Sequence, residues 1–129
     1  FAAAQAVNPD VYAWIWIPGT NVDYPILQSE TEPDEYYLNH TIEKKEGLPG
    51  TIYTEKYNSK EFTDPVTIIY GHDMKNGSMF SLLGKYLNED FLYAHQHFKI
   101  YTSNGNYEAT VFSAYSIAFE TENSNIRHQ

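Results

Sequence analysis

Apolar and polar positions along the chain fall into short blocks, each with its own period. Residues 2–13 are rich in alanine and predict a helical start. Asn8-Pro9 interrupts it, because proline suits a first turn or a break but not a helix interior. Trp14-Ile15-Trp16-Ile17 predicts a short strand closed by Pro18-Gly19, and residues 24–28 predict a second. Residues 29–33 form a polar turn, and residues 34–39 predict one helical turn. Thr51-Ile52-Tyr53 predicts a strand after Gly47-Leu48-Pro49-Gly50. Residues 66–70, Val-Thr-Ile-Ile-Tyr, are β-branched and bounded by Asp64-Pro65 and Gly71, which predicts a strand buried on both faces. In residues 78–86, Met79, Leu82, Leu83 and Tyr86 recur at helical spacing behind a possible Ser78 cap. Residues 89–95 predict a second short helix. Residues 97–102 and 107–117 predict a hairpin turning at Asn104-Gly105, with Tyr107, Ala109, Val111, Tyr115 and Ile117 on one face. The whole reads as a mainly β barrel or sandwich with short helices.

Length and composition narrow the reading. With 129 residues, no internal repeat and no Pro/Gly/Ser-rich linker, residues 1–129 read as one domain. The 12 Tyr, 7 Phe and 2 Trp are too many for a disordered acidic tail. A net charge of −9 argues against nucleic acid as a partner, since a phosphate backbone calls for a basic footprint. There is no cysteine, so no disulfide, thiolate metal site or thiol nucleophile comes from this chain. No stretch has the roughly 18 apolar residues of a membrane-spanning helix. The opening Phe1-Ala2-Ala3-Ala4 lacks a start Met and a basic region, and reads as a processing boundary rather than a signal peptide.

Five histidines are the main candidates for chemistry. His72 directly follows the most apolar run, after Tyr70-Gly71, and precedes the turn-like Lys75-Asn76-Gly77. A strand end on a rigid scaffold is where catalytic groups tend to sit, and an imidazole there can act as an acid or a base near neutral pH. The plainer reading is a surface-loop histidine. His95-x-His97 offers two imidazoles, short of the three or four ligands of a zinc site. The acidic pairs Glu30/Glu32 and Asp34/Glu35 lie in a polar loop, where carboxylates are normally solvated. No cofactor motif is present.

Four segments together resemble the class B sortases. They are Asn8-Pro9-Asp10-Val11-Tyr12-Ala13-Trp14-Ile15-Trp16-Ile17-Pro18-Gly19-Thr20, running on to Gln28; Tyr36-Tyr37-Leu38-Asn39; Thr67-Ile68-Ile69-Tyr70-Gly71-His72-Asp73-Met74 with Gly77-Ser78-Met79-Phe80; and Val111-Phe112-Ser113-Ala114-Tyr115. Their order and spacing hold from about residue 8 to 127. The resemblance implies a sortase-like β-barrel, incomplete in this chain. It implies a cysteine transpeptidase at the extracellular face of a Gram-positive membrane, anchored by an N-terminal segment. Such an enzyme cleaves a sorting-signal peptide and joins the protein to a peptidoglycan amine through a thioester.

By the same resemblance His72 falls on the catalytic histidine. Asp34, Leu38, Tyr70, Thr121, Asn125 and Ile126 fall on or near the substrate groove, with Asp34 where relatives often carry Asn and Asn125 where a Tyr is frequent. The catalytic Cys, which ends a Thr-Leu-x-Thr-Cys motif, and the catalytic Arg have no counterpart; Arg127 falls in the connection before those strands. The chain is therefore expected to be inactive by itself. It is also expected to leave residues 66–70 as an exposed edge that another chain or a second copy covers. Two other readings stay open: a non-catalytic β-rich binding module at the cell surface, and a His-dependent metal hydrolase.

Overall fold

The computed structural model describes residues 1–72, 74 and 76–115. A short helix α1 (Ala2–Val7) leads into β1 (Val11–Trp16), followed by β2 (Asp23–Leu27) and β3 (Ile52–Tyr53). Helix α2 (Glu89–Ala94) precedes the hairpin of β4 (His97–Thr102) and β5 (Gly105–Thr110). These strands form one sheet in the order β3-β2-β1-β4-β5. β1 is central and pairs antiparallel with β2 and β4, while β3 lies parallel to β2. Ile15 faces Tyr24 on one side and Ile100 on the other. Of β2, Ile26 and Leu27 are the residues that pair with β3, so Pro25 sits where β2 has a neighbour on one side only and its missing N–H costs little. The described sheet is open, in keeping with a mainly β, incomplete barrel.

An irregularity between Val11 and Ala13 divides the core. Val11 stands opposite Leu27, but Ala13 stands opposite the adjacent Ile26. The extra residue reverses which face the following side chains take. Val11 and Leu27 consequently pack with Tyr37 and Tyr53, whereas Ala13, Ile15 and Ile26 pack with Ile52, Met79 and Ile100. Complete burial of Ile26, Leu27 and Ile52 contributes on the order of 1.5–3 kcal/mol each.

Three elements differ from their sequence reading. Residues 66–69 belong to no described strand, and the only described bridge of this run joins Tyr53 and Tyr70. Val66 is 66% exposed and Ile68 41%, so this run is not buried on both faces. β-Branching suits a strand, but β3 reaches the run only at Tyr70, and no described strand pairs with residues 66–69. Asn58 takes the place of one: its Nδ2 donates to the Val66 carbonyl at 2.8 Å, and its Oδ1 accepts from the Ile68 N–H at 3.0 Å. Those are the two contacts a parallel strand would make around Thr67.

The helix expected at 78–86 is instead a 3-10 segment, Ser81–Leu87. Met79 has φ 57°, which no α-helix admits, and Ser78 hydrogen-bonds Asn76 rather than capping a helix. The side-chain cap appears later, where Asn88 accepts from the Phe91 N–H at 3.1 Å and opens α2. The hairpin turns at Ser103-Asn104, one residue before the expected pair, and Gly105, with φ 143°, already opens β5, which ends at Thr110. Ala109 and Val111 are half-buried, while Tyr107 and Tyr115 are exposed; Ile117 lies outside the described residues.

Candidate functional site

His72 is placed by contacts on three sides. Upstream, Tyr70 exchanges both backbone hydrogen bonds with Tyr53, at 2.9 and 3.1 Å. Gly71 then passes so close to its neighbours that a Cβ would lie 2.5 Å from Ile52 Cδ1 and 2.6 Å from the Phe80 ring. Downstream, the His72 carbonyl accepts from the Phe80 N–H at 2.9 Å and closes the loop. The half-buried imidazole meets the Leu38 carbonyl through Nε2 at 2.6 Å. A carbonyl oxygen can only accept, so Nε2 carries the proton.

Leu38 ends the 3-10 turn Tyr36–Leu38. That turn is held by the buried ring of Tyr37, whose hydroxyl accepts from Asn8 Nδ2 at 2.8 Å and donates to Asp10 Oδ2 at 2.6 Å. Burial, with the Asp10 carboxylate accepting its proton, raises the Tyr37 hydroxyl far above the usual phenol range. The Tyr37 carbonyl accepts from the Thr51 N–H at 2.9 Å. Gly50, at φ +68°, lies against the same strip of backbone, where a Cβ would be 2.3 Å from the Leu38 oxygen.

Tyr70 stacks on Tyr53 with ring centroids 5.1 Å apart, and its hydroxyl donates to Glu55 Oε1 at 3.4 Å. Burial, and then the Glu55 charge, push that hydroxyl up to about 12, so it stays a phenol at neutral pH. Asp34 Oδ1 accepts from the Lys56 N–H at 2.9 Å and pairs with Lys56 Nζ at 3.4 Å. The backbone N–H is the main reason its carboxyl sits below the ordinary range. Lys60 and Glu30 form a second tie between the same two loops.

The structure thus brings His72 and Leu38 into contact and sets Tyr70 two residues upstream. Asp34 shares the loop leading to Leu38 but is engaged with Lys56. Thr121, Asn125 and Ile126 lie outside the described residues, as do Arg127 and His128. The Tyr37 clamp carried no sequence signal beyond an aromatic pair at 36–37. An apolar groove of about 450 Å3 opens beside this region, walled by Ile69, Phe80, Leu83, Val111 and Ala114. A second of about 390 Å3 continues along Tyr70 and Gly71.

The other described histidines are structural in their contacts. His40 stacks on Tyr36 at 3.8 Å, and His95 on Phe91 at 4.1 Å. His95 Nδ1 meets the Phe91 carbonyl at 3.0 Å, while His97 Nδ1 meets Thr110 Oγ1 at 3.2 Å. Among the described residues, no three His, Asp or Glu side chains gather as a metal site would require. Nor is any described helix long and apolar enough to cross a membrane.

No family model matches the chain. Individual proteins do. Sortase B of Listeria monocytogenes is 45% identical over 111 residues, covering 86% of this chain and 44% of that protein. Sortase B of Staphylococcus aureus is 34% identical over 115 residues, covering 89% of this chain and 46% of that protein. The solved Staphylococcus aureus sortase B–substrate complex superposes with a TM-score of 0.82 at 32% identity, over 89% of this chain and 52% of that one. The chain spans less than half the length of the two curated relatives. Sequence and fold agree across nearly all that it does span, and over that stretch the chain belongs to the class B sortase family.

Proposed function

We propose that this chain is part of a sortase B-like transpeptidase at the extracellular face of the membrane, anchored by an N-terminal segment. Its substrate is the C-terminal sorting signal of a secreted protein. A cysteine thiolate attacks the Thr carbonyl, the C–N bond breaks, and a thioester forms. His72 protonates the departing amine. A peptidoglycan amine then attacks the thioester, forming an amide and releasing the thiol. Asp34, Leu38 and Tyr70, with Thr121, Asn125 and Ile126, flank the peptide. The observation that carries this reading is the 2.6 Å contact between His72 Nε2 and the Leu38 carbonyl, which joins two segments of the resemblance at one point.

These 129 residues hold no cysteine, so the thiol belongs to another part of the protein; the resemblance implies the same of the guanidinium, because Arg127 falls before the strand that carries it. The chain by itself is expected to leave a fluorogenic sorting-signal peptide uncut. In a longer protein that adds a Thr-Leu-x-Thr-Cys segment and an Arg-bearing strand, His72→Ala should lower turnover by about 10²–10⁴-fold, the usual worth of a positioned acid–base group. Normal turnover of that variant would refute the role given to His72. The alternative reading is a non-catalytic β-rich binding module at the cell surface. Normal peptide binding without cleavage in the longer, Cys-bearing protein would decide for it.

A further inference from the structure

The contact at His72 defines more than a location. The Leu38 carbonyl takes the Nε2 proton, so the lone pair of the neutral ring resides on Nδ1. Among the described residues Nδ1 has no hydrogen-bond partner. Two features set the position of the Leu38 oxygen. On one side, Tyr37 is fixed by its hydroxyl between Asn8 and Asp10, and Asn8, only 1% exposed, also donates to the Ile42 carbonyl at 2.9 Å. On the other, Gly50 leaves room that a single methyl group would fill.

We propose that Tyr37 is a positioning residue: through the buried Asn8–Tyr37–Asp10 clamp, with Gly50 behind, it holds the Leu38 carbonyl on His72 Nε2 and so assigns proton transfer to Nδ1. The proposal rests on the role given to His72 above, but its test reads the ring directly and stands apart from turnover. The hydrogen bonds of Tyr37 go to Asn8 and Asp10 and those of the imidazole to Leu38, so Tyr37 acts through the backbone that joins it to Leu38.

The test is a two-bond 1H–15N correlation spectrum, above the titration range of histidine, of the 15N-labelled longer protein that adds the Cys- and Arg-bearing strands. It distinguishes protonated from bare ring nitrogens. His72 is expected to show Nε2–H with bare Nδ1. His95 serves as an internal control of opposite sense, because its Nδ1 donates to the Phe91 carbonyl. Tyr37→Phe removes the clamped hydroxyl and is expected to lower the Nε2–H to Nδ1–H ratio of His72 about fivefold, the effect of losing one average hydrogen bond. Gly50→Ala should do the same by displacing the carbonyl. The His95 pattern should be unchanged in both.

A wild-type His72 protonated on Nδ1 would overturn the proposal. So would an unchanged His72 ratio in both variants. Should Tyr37→Phe also erase the His95 pattern, Asp10→Asn, which keeps the tyrosine and weakens only its anchor, must show the drop for the proposal to stand. The failure of the catalytic reading would look different: normal turnover of His72→Ala with the tautomer pattern as described.

Discussion

Asn58 offers the sharpest test of how the segment leading to His72 is held. Its side chain is buried at 3% exposure and makes three hydrogen bonds, to the Val66 carbonyl, the Ile68 N–H and Asp64. Asn58→Ala removes all three and leaves a small void. The two backbone bonds are worth about 1 kcal/mol each. Val66 is exposed, so water can reach its carbonyl and reduce that loss. Asp64 keeps the Ser59 N–H at 2.6 Å and loses less than a full charged bond. The expected cost is about 2–3 kcal/mol.

Asn58→Asp separates the contributions. The introduced carboxylate can still accept from Ile68 but cannot donate to Val66, and it faces Asp64. Its pKa in the folded protein is therefore raised, and a protonated acid can donate again to Val66. Its stability deficit should be largest at neutral pH and shrink as pH falls through that raised pKa. Urea unfolding followed by Trp14 and Trp16 fluorescence measures both variants, and amide exchange at Ile68 reports the local effect. An unchanged midpoint for Asn58→Ala, with Ile68 exchanging as slowly as in wild type, would sink the claim that this amide stands in for a strand.

Two further expectations concern charge and assembly. The Asp34 carboxyl is held low by the Lys56 N–H, so its stabilising effect should be present above the ordinary carboxylate range and lost as pH falls through its lowered pKa. Because Asp34 and Lys56 are each 40% exposed, Asp34→Asn should cost less than about 1 kcal/mol at pH 7 in urea titrations and nothing in strong acid; an equal loss at both would contradict it. The exposed apolar run at Val66 and Ile68 should make the chain self-associate at micromolar concentration, with Ile68→Lys restoring smaller species in light scattering. A stable wild-type monomer would refute that expectation.

Local pattern revealed most of the sheet. β1, β2, β3 and β4 lie within a residue or a few of the apolar runs that predicted them, and α2 starts behind its Asn88 cap. What local pattern cannot express is the presence of a neighbour. Residues 66–70 have the composition of a buried strand, but burial belongs to the pairing and not to the run itself. Asn58 showed the same blindness from the other side, since nothing in Tyr57-Asn58-Ser59 marks an amide that will bond a segment ten residues away. The place of His72 could be read from the punctuation around it. Its Leu38 contact joins positions 34 residues apart, and only the resemblance set both on one site.

The division of the core at Val11 and Ala13 has a consequence for how damage spreads. Leu38 and Tyr70 lean on the small cluster of Val11, Leu27, Tyr37 and Tyr53, whereas Ile69, Phe80 and Leu83 lean on the large one. The histidine's backing and the groove beside it thus belong to different foundations. Substitutions in one should add independently to those in the other, apart from pairs that meet across β2 and β3. Evolution can reshape the groove wall at Leu83 and Val111, away from Phe80 and Ile52, while the ring of His72 keeps its orientation.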